Sequence, residues 1–178
     1  MGEGGPIPTL IVFGGLPGTG KTTLAQALAR HLGATYLRID QIEQVLRSNR
    51  PPEYDLGEEG YVVAYRLAEE NLRLGNIVVA DSVNPIQHTR DAWRSVATHA
   101  GVKAVEIEIV CSDGGEHRRR VETRTTDIPG LQLPDWKAVE TREYDPWNRD
   151  RIVIDTAART VEESFAALLS ALRDAGAA

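Results

Sequence analysis

A three-layer α/β fold, with a parallel sheet between two layers of helices, is predicted for this 178-residue chain. Two observations predict it. Short apolar runs alternate along the chain with segments of helical period, which is the pattern of successive βα units. The first run, Thr9-Leu10-Ile11-Val12-Phe13, is almost wholly apolar, as a strand buried on both faces requires. It opens into a glycine-rich turn and then a helical segment, so the turn falls at the carboxyl end of the strand, where such sheets bind ligands.

The elements follow in order. Leu24, Leu28 and Leu32 recur at helical spacing among helix-favouring alanines. Thr35–Ile39 is a short second strand, and Asp40 to about Arg47 is a helix for which Asp40 suits the N-cap. Ser48–Gly57, broken by Pro51-Pro52, is a polar loop. Glu58 to about Leu74 is a longer helix ended by Gly75. Asn76–Ala80 is a third strand. Pro85 to about His99 is a helix with proline at its start and Gly101 past its end, and Asn84 suits its cap. Val102–Val110 is a fourth strand, where Val105-Glu106-Ile107-Glu108-Ile109 alternates as a half-solvated strand would. Asp113 to about Thr125 is a charged helix. Asp127–Trp147 is the least readable segment, with a turn near Pro129-Gly130 and a helix start at Pro134-Asp135-Trp136. Arg151–Ile154 is a fifth strand, and Val161, Phe165, Leu168, Leu169 and Leu172 mark a closing amphipathic helix. No repeat or linker divides the chain, so 1–178 reads as one domain with loose ends at 1–7 and 174–178.

The turn Gly15-Leu16-Pro17-Gly18-Thr19-Gly20-Lys21-Thr22 fits G-x-x-x-x-G-K-[ST] without a gap. Glycines let successive N–H groups face phosphate oxygens, and the following helix adds its N-terminal dipole. Gly15 to Thr23 is therefore the expected phosphate cradle. Lys21 is expected to reach the β- and γ-phosphates of ATP, and the Thr22 hydroxyl to ligate Mg2+. Asp81, at the end of the third strand, suits a carboxylate that holds Mg2+ through its waters. Asp40, at the end of the second, suits a base that orients an acceptor hydroxyl and takes its proton. Spacing alone does not assign these two acids their roles. In His117-Arg118-Arg119-Arg120-Val121-Glu122-Thr123-Arg124, Arg120 and Arg124 are four apart and share a helical face, as a phosphate clamp would require. The same run also suits a solvated basic face or an RNA-binding patch.

Composition narrows the classes. A net charge of −6 argues mildly against broad nucleic-acid binding. Cys111 is the one cysteine and is expected to be buried, so neither an internal disulfide nor a Cys-based zinc cage can form. His31, His88, His99 and His117 have no metal-ligand spacing and read as scattered surface residues. No apolar run approaches the roughly 20 residues of a membrane span, and Met1–Pro6 lacks the features of a secretory signal, so a cytoplasmic location is expected. No Asn-Lys-x-Asp guanine motif occurs.

With Gly15–Thr22, Asp40, Val79-Ala80-Asp81 with Asn84, and Arg120-x-x-x-Arg124 in this order, the chain resembles the small P-loop kinases of the nucleotide and metabolite group. Within it, the branch of polynucleotide 5′-hydroxyl kinases, chloramphenicol phosphotransferases and gluconate kinases is most similar. The resemblance implies a five-stranded sheet in the order 2-3-1-4-5 and a mobile helical lid, about 113–147, over ATP. It implies Asp40 as the acceptor-side base, Arg120 against adenine, Arg124 on the transferred phosphoryl, and Asp155–Ala158, with Thr156, beside the adenine. One departure matters: where the polynucleotide-kinase pattern often has arginine three residues after the base, this chain has Glu43. A carboxylate there repels a phosphorylated acceptor and suits a neutral or cationic one, although Glu43 also suits a helix surface, and Arg38 and Arg47 stand near. A small-molecule hydroxyl is thus the expected acceptor. A 5′-hydroxyl polynucleotide is the alternative, and a regulatory ATPase the second. Oligomeric state is not legible.

Overall fold

The computed structural model describes residues 7–176; the expectations for 1–6 and 177–178 lie outside them. Five parallel strands are β1 (Thr9–Gly14), β2 (Thr35–Arg38), β3 (Val78–Asp81), β4 (Lys103–Val110) and β5 (Ile152–Asp155). Their order is β2-β3-β1-β4-β5, as the resemblance implied. The helices are α1 (Lys21–Leu32), α2 (Ile39–Ser48), α3 (Glu59–Arg73), α4 (Gln87–Ala100), α5 (Gly114–Thr123), α6 (Trp136–Glu140) and α7 (Val161–Asp174).

The central strand shows why three layers form. Every residue of β1 is buried, and its side chains alternate between two cores. Ile11 and Phe13 pack with Leu24 and Leu28 of α1 and Leu168 and Leu172 of α7. Leu10 and Val12 pack with Ala64, Ala68 and Leu72 of α3 and Trp93 and Val96 of α4. Register then assembles the functional end of the sheet, because Asp81 is the partner of both Phe13 and Arg38, and Gly14 is the partner of Glu108.

Four local expectations are corrected. β2 runs straight into α2, so the helix begins at Ile39; its N-cap position is Arg38, and Asp40 stands inside the first turn, where its charge still meets the helix dipole. Asn84 does not cap α4, which starts later behind Ile86. Instead Asn84 adopts a left-handed backbone (φ 54°), fully buried. The charged helix ends at Thr123, so Arg124 is its C-cap and leaves the helical path.

The alternating glutamates of β4 are the fourth correction. Glu106 and Glu108 are 8% and 7% exposed, not half-solvated. Residues from Tyr144 to Arg151 cover them. Tyr144 and Arg151 donate to the two oxygens of Glu108 at 3.0 and 2.6 Å, and Arg149 pairs with Glu106 at 2.9 Å. Arg90, 2% exposed, locks this strap to α4. Its guanidinium donates to the carbonyls of Asn84 and Pro85 at 3.0 and 3.1 Å and lies over the Trp147 and Tyr144 rings. A buried cation with so many partners cannot be truncated without stranding them. Arg90→Ala is therefore expected to lower unfolding free energy by about 3 kcal/mol. Urea unfolding checks this, and an unchanged midpoint contradicts it.

Candidate active site

The cradle is built by α1 and the turn before it. Gly20 occupies the N-cap of α1 in a left-handed conformation and supplies no side chain to the first-turn amides. Those N–H groups are thus left for an anion, which the helix dipole also favours. Gly18 shows why side chains are excluded here. Its φ is +86°, and a Cβ would stand 2.5 Å from Cγ2 of Val121. Leu16, Pro17, Gly18, Gly20, Lys21, Thr22 and Thr23 line a cleft of about 850 Å³. Gly15 and Thr19 serve the turn itself. The Gly15 N–H donates to Val83 O at 3.0 Å, and the Thr19 hydroxyl to Leu16 O at 2.9 Å.

Beneath the cradle, Lys21 and Asp81 form a buried ion pair, Nζ to Oδ1 2.8 Å, with exposures of 7% and 1%. The Tyr36 hydroxyl donates to Oδ2 of Asp81 at 2.7 Å. Burial pulls the Asp81 pKa up, but the Lys21 charge and the hydrogen bonds of Lys21 and Tyr36 outweigh it, with Thr22 acting in the same direction. Its carboxyl stays below the usual carboxylate range. Burial, then the Asp81 charge, raises the Tyr36 phenol far above its ordinary value, so it stays a donor. The donor set of Thr22 hydroxyl and Asp81 carboxylate is all oxygen, which fits Mg2+. Among the described residues no cluster of three His, Cys, Asp or Glu could hold a metal.

The same cleft is also lined by Asp40, Glu43, Gln44 and Arg47 of α2 and by Arg142 just past α6. Glu43 is not a surface residue. It is half-buried, and Gly60 of α3 makes room for it, since a Cβ on Gly60 would meet Glu43 Cγ at 2.3 Å. Burial first, and the neighbouring Asp40 charge second, raise its pKa above the usual carboxylate range. Arg47 and Arg142, which line the same cleft, oppose that shift, whereas Arg38 is held on Asp127 at 2.8 Å.

Arg120 and Arg124 both line the cleft but are engaged differently. Arg120 donates to the Thr156 hydroxyl at 2.8 Å and to Glu116 at 2.5 Å. Arg124 has its Nε and Nη2 buried with no partner. Burial lowers its pKa, against the opposing influence of Asp40. Thr156, 4% exposed, donates to Thr19 O at 2.8 Å and borders a second pocket of about 260 Å³ with Gly18, Gly20, Arg120 and Ser164.

Two residues of this site escaped the sequence reading. Tyr36 gave no signal beyond strand propensity. His117, which the pattern alone puts at the surface, is 7% exposed, its Nε2 2.8 Å from Pro17 O and its ring edge-on to Trp136, so it ties α5 to the glycine turn. Its place inside the basic run is what hid it.

Fold and glycine turn together define a small P-loop protein of kinase-like architecture. A family model described as an AAA domain matches residues 10–142, and the chain belongs to that family. Comparison with curated proteins gave no match. Solved structures share the fold. An APS kinase of Mycobacterium tuberculosis, in complex with AMPPNP and APS, is 20% identical over 94% of this chain and 99% of its own, with TM-score 0.67. A gluconokinase of Sinorhizobium meliloti is 20% identical over 96% and 94%, TM-score 0.67. Kti12 of Chaetomium thermophilum, in complex with ADP-AlF3, is 21% identical over 93% and 98%, TM-score 0.69. No described helix is long and apolar enough to cross a membrane.

Proposed function

We propose that this protein transfers the γ-phosphoryl group of Mg·ATP to a hydroxyl of a small molecule such as a metabolite, nucleoside or antibiotic. The observation that carries this reading is a single cleft with a phosphate cradle on one side, Asp40 and Glu43 on the other, and the uncommitted Arg124 guanidinium lining it too.

ATP places its phosphates against the α1 N-terminus and the turn amides. Lys21 exchanges Asp81 for the β- and γ-phosphates. Magnesium, held by Thr22 and Asp81, would neutralise charge on those phosphates. The acceptor oxygen bonds to the γ-phosphorus as the bond from that phosphorus to the β,γ-bridging oxygen breaks, and Asp40 receives the hydroxyl proton. ADP and a phosphomonoester leave. Arg124, whose Nε and Nη2 have no other partner, meets the charge that develops on the transferred group. Glu43 sets the acceptor's character: it disfavours a phosphate at that end and accepts hydrogen bonds from hydroxyls or an amine.

Arg124→Ala tests this reading. Turnover is expected to fall about 100-fold or more, with ATP affinity changed only a few-fold. The thermal midpoint is not expected to drop, because the guanidinium has no partner to strand. Unchanged phosphotransfer in this variant contradicts the role given to Arg124.

A further inference from the structure

We infer that Tyr36 is a positioning residue that fixes the Asp81 carboxylate for magnesium after Lys21 has left it. This role rests on the nucleotide and magnesium reading above, and neither the glycine turn nor the strand-end acids point to it.

Each oxygen of the fully buried Asp81 carboxylate has its own donor, from a different element. Oδ1 takes the Lys21 ammonium of α1, and Oδ2 takes the Tyr36 hydroxyl of β2. One donor is temporary, because Lys21 is the group that must turn to the phosphates. The other is not. Tyr36 lies on β2 opposite Val79, two residues before Asp81 on the same face of β3, and its ring packs against the α1/α7 core. The hydroxyl therefore approaches Asp81 from the sheet and not from the cleft. When Lys21 departs, a carboxylate held at neither oxygen is free to turn about its terminal torsion, which is a soft one. The 2.7 Å bond from Tyr36 prevents that turn and leaves Oδ1 directed at the α1 side, where Thr22 stands. A phenylalanine would fill the same space and lose only this restraint.

The test is calorimetric binding of a non-hydrolysable ATP analogue with and without Mg2+, on wild type, Tyr36→Phe, Asp81→Asn and the double variant, with thermal midpoints measured alongside. In Tyr36→Phe the metal-free affinity is expected to stay within about twofold, while the gain in affinity on adding Mg2+ shrinks about tenfold or more. In Asp81→Asn that gain is already lost, and adding Tyr36→Phe is expected to change nothing further. An undiminished magnesium gain in Tyr36→Phe overturns the role of Tyr36 alone. An additional loss in the double variant also overturns it, because Tyr36 then acts other than through Asp81. A wild type that binds the analogue without any magnesium gain removes the metal site and the role of Tyr36 together.

Discussion

Lys21→Ala is expected to reduce turnover by about 1000-fold or more. The reason is that, among the described residues, Lys21 is the cation paired with Asp81 beneath the cradle. Arg38 is bound to Asp127, and Arg120 to Glu116 and Thr156. The same substitution carries a structural cost, because Lys21 is the cation that pairs the buried Asp81. Breaking such a pair from one side is expected to remove about 3 kcal/mol of stability. The cost depends on pH. In the wild type the folded Asp81 pKa is depressed, so the pair contributes stability above the unfolded aspartate pKa and loses it as pH falls through the folded value. Without Lys21 that acid-side loss is expected to disappear, and the stability difference between wild type and variant narrows at low pH. Urea unfolding at several pH values checks this, and turnover is compared per folded molecule. A variant that is unstable but fully active per folded molecule makes Lys21 structural only.

Asp40→Asn is expected to lower kcat by about 100- to 10,000-fold while ATP affinity and stability stay near wild type. Among the described residues Asp40 makes no hydrogen bond or ion pair and does not cap α2, so its loss strands nothing. Its substitution by the isosteric amide removes proton acceptance and keeps the shape. Direct ATP binding and steady-state kinetics separate the outcomes. If ATP affinity collapses instead, Asp40 serves the metal or the fold.

Much of this was legible in the sequence because its causes are local. The glycine turn, the apolar β1 run and the βα alternation each depend on neighbouring residues, and the structure has them where the pattern implied. Helix ends were less legible. Asp40 and Asn84 have the chemistry of N-caps, but chain direction at the ends of β2 and β3 decided otherwise, sending β2 directly into α2 and Asn84 into a left-handed turn. What could not be read were long-range partnerships. Glu106 and Glu108 look solvent-facing until Arg149, Arg151 and Tyr144, more than thirty residues on, are folded over them. Tyr36 reaches Asp81 across 45 residues, and His117 reaches Pro17 across 100. Glu43 faces inward only because Gly60, on another helix, leaves it room.

The most direct measurement is incubation of the protein with γ-labelled ATP, Mg2+ and a panel of hydroxyl compounds: sugars and sugar acids, nucleosides, antibiotics and 5′-hydroxyl oligonucleotides. A two-sided transfer site predicts label in a phosphomonoester of one small-molecule class, abolished by Asp40→Asn. Label released only as inorganic phosphate, at the same rate in wild type and Asp40→Asn, contradicts it.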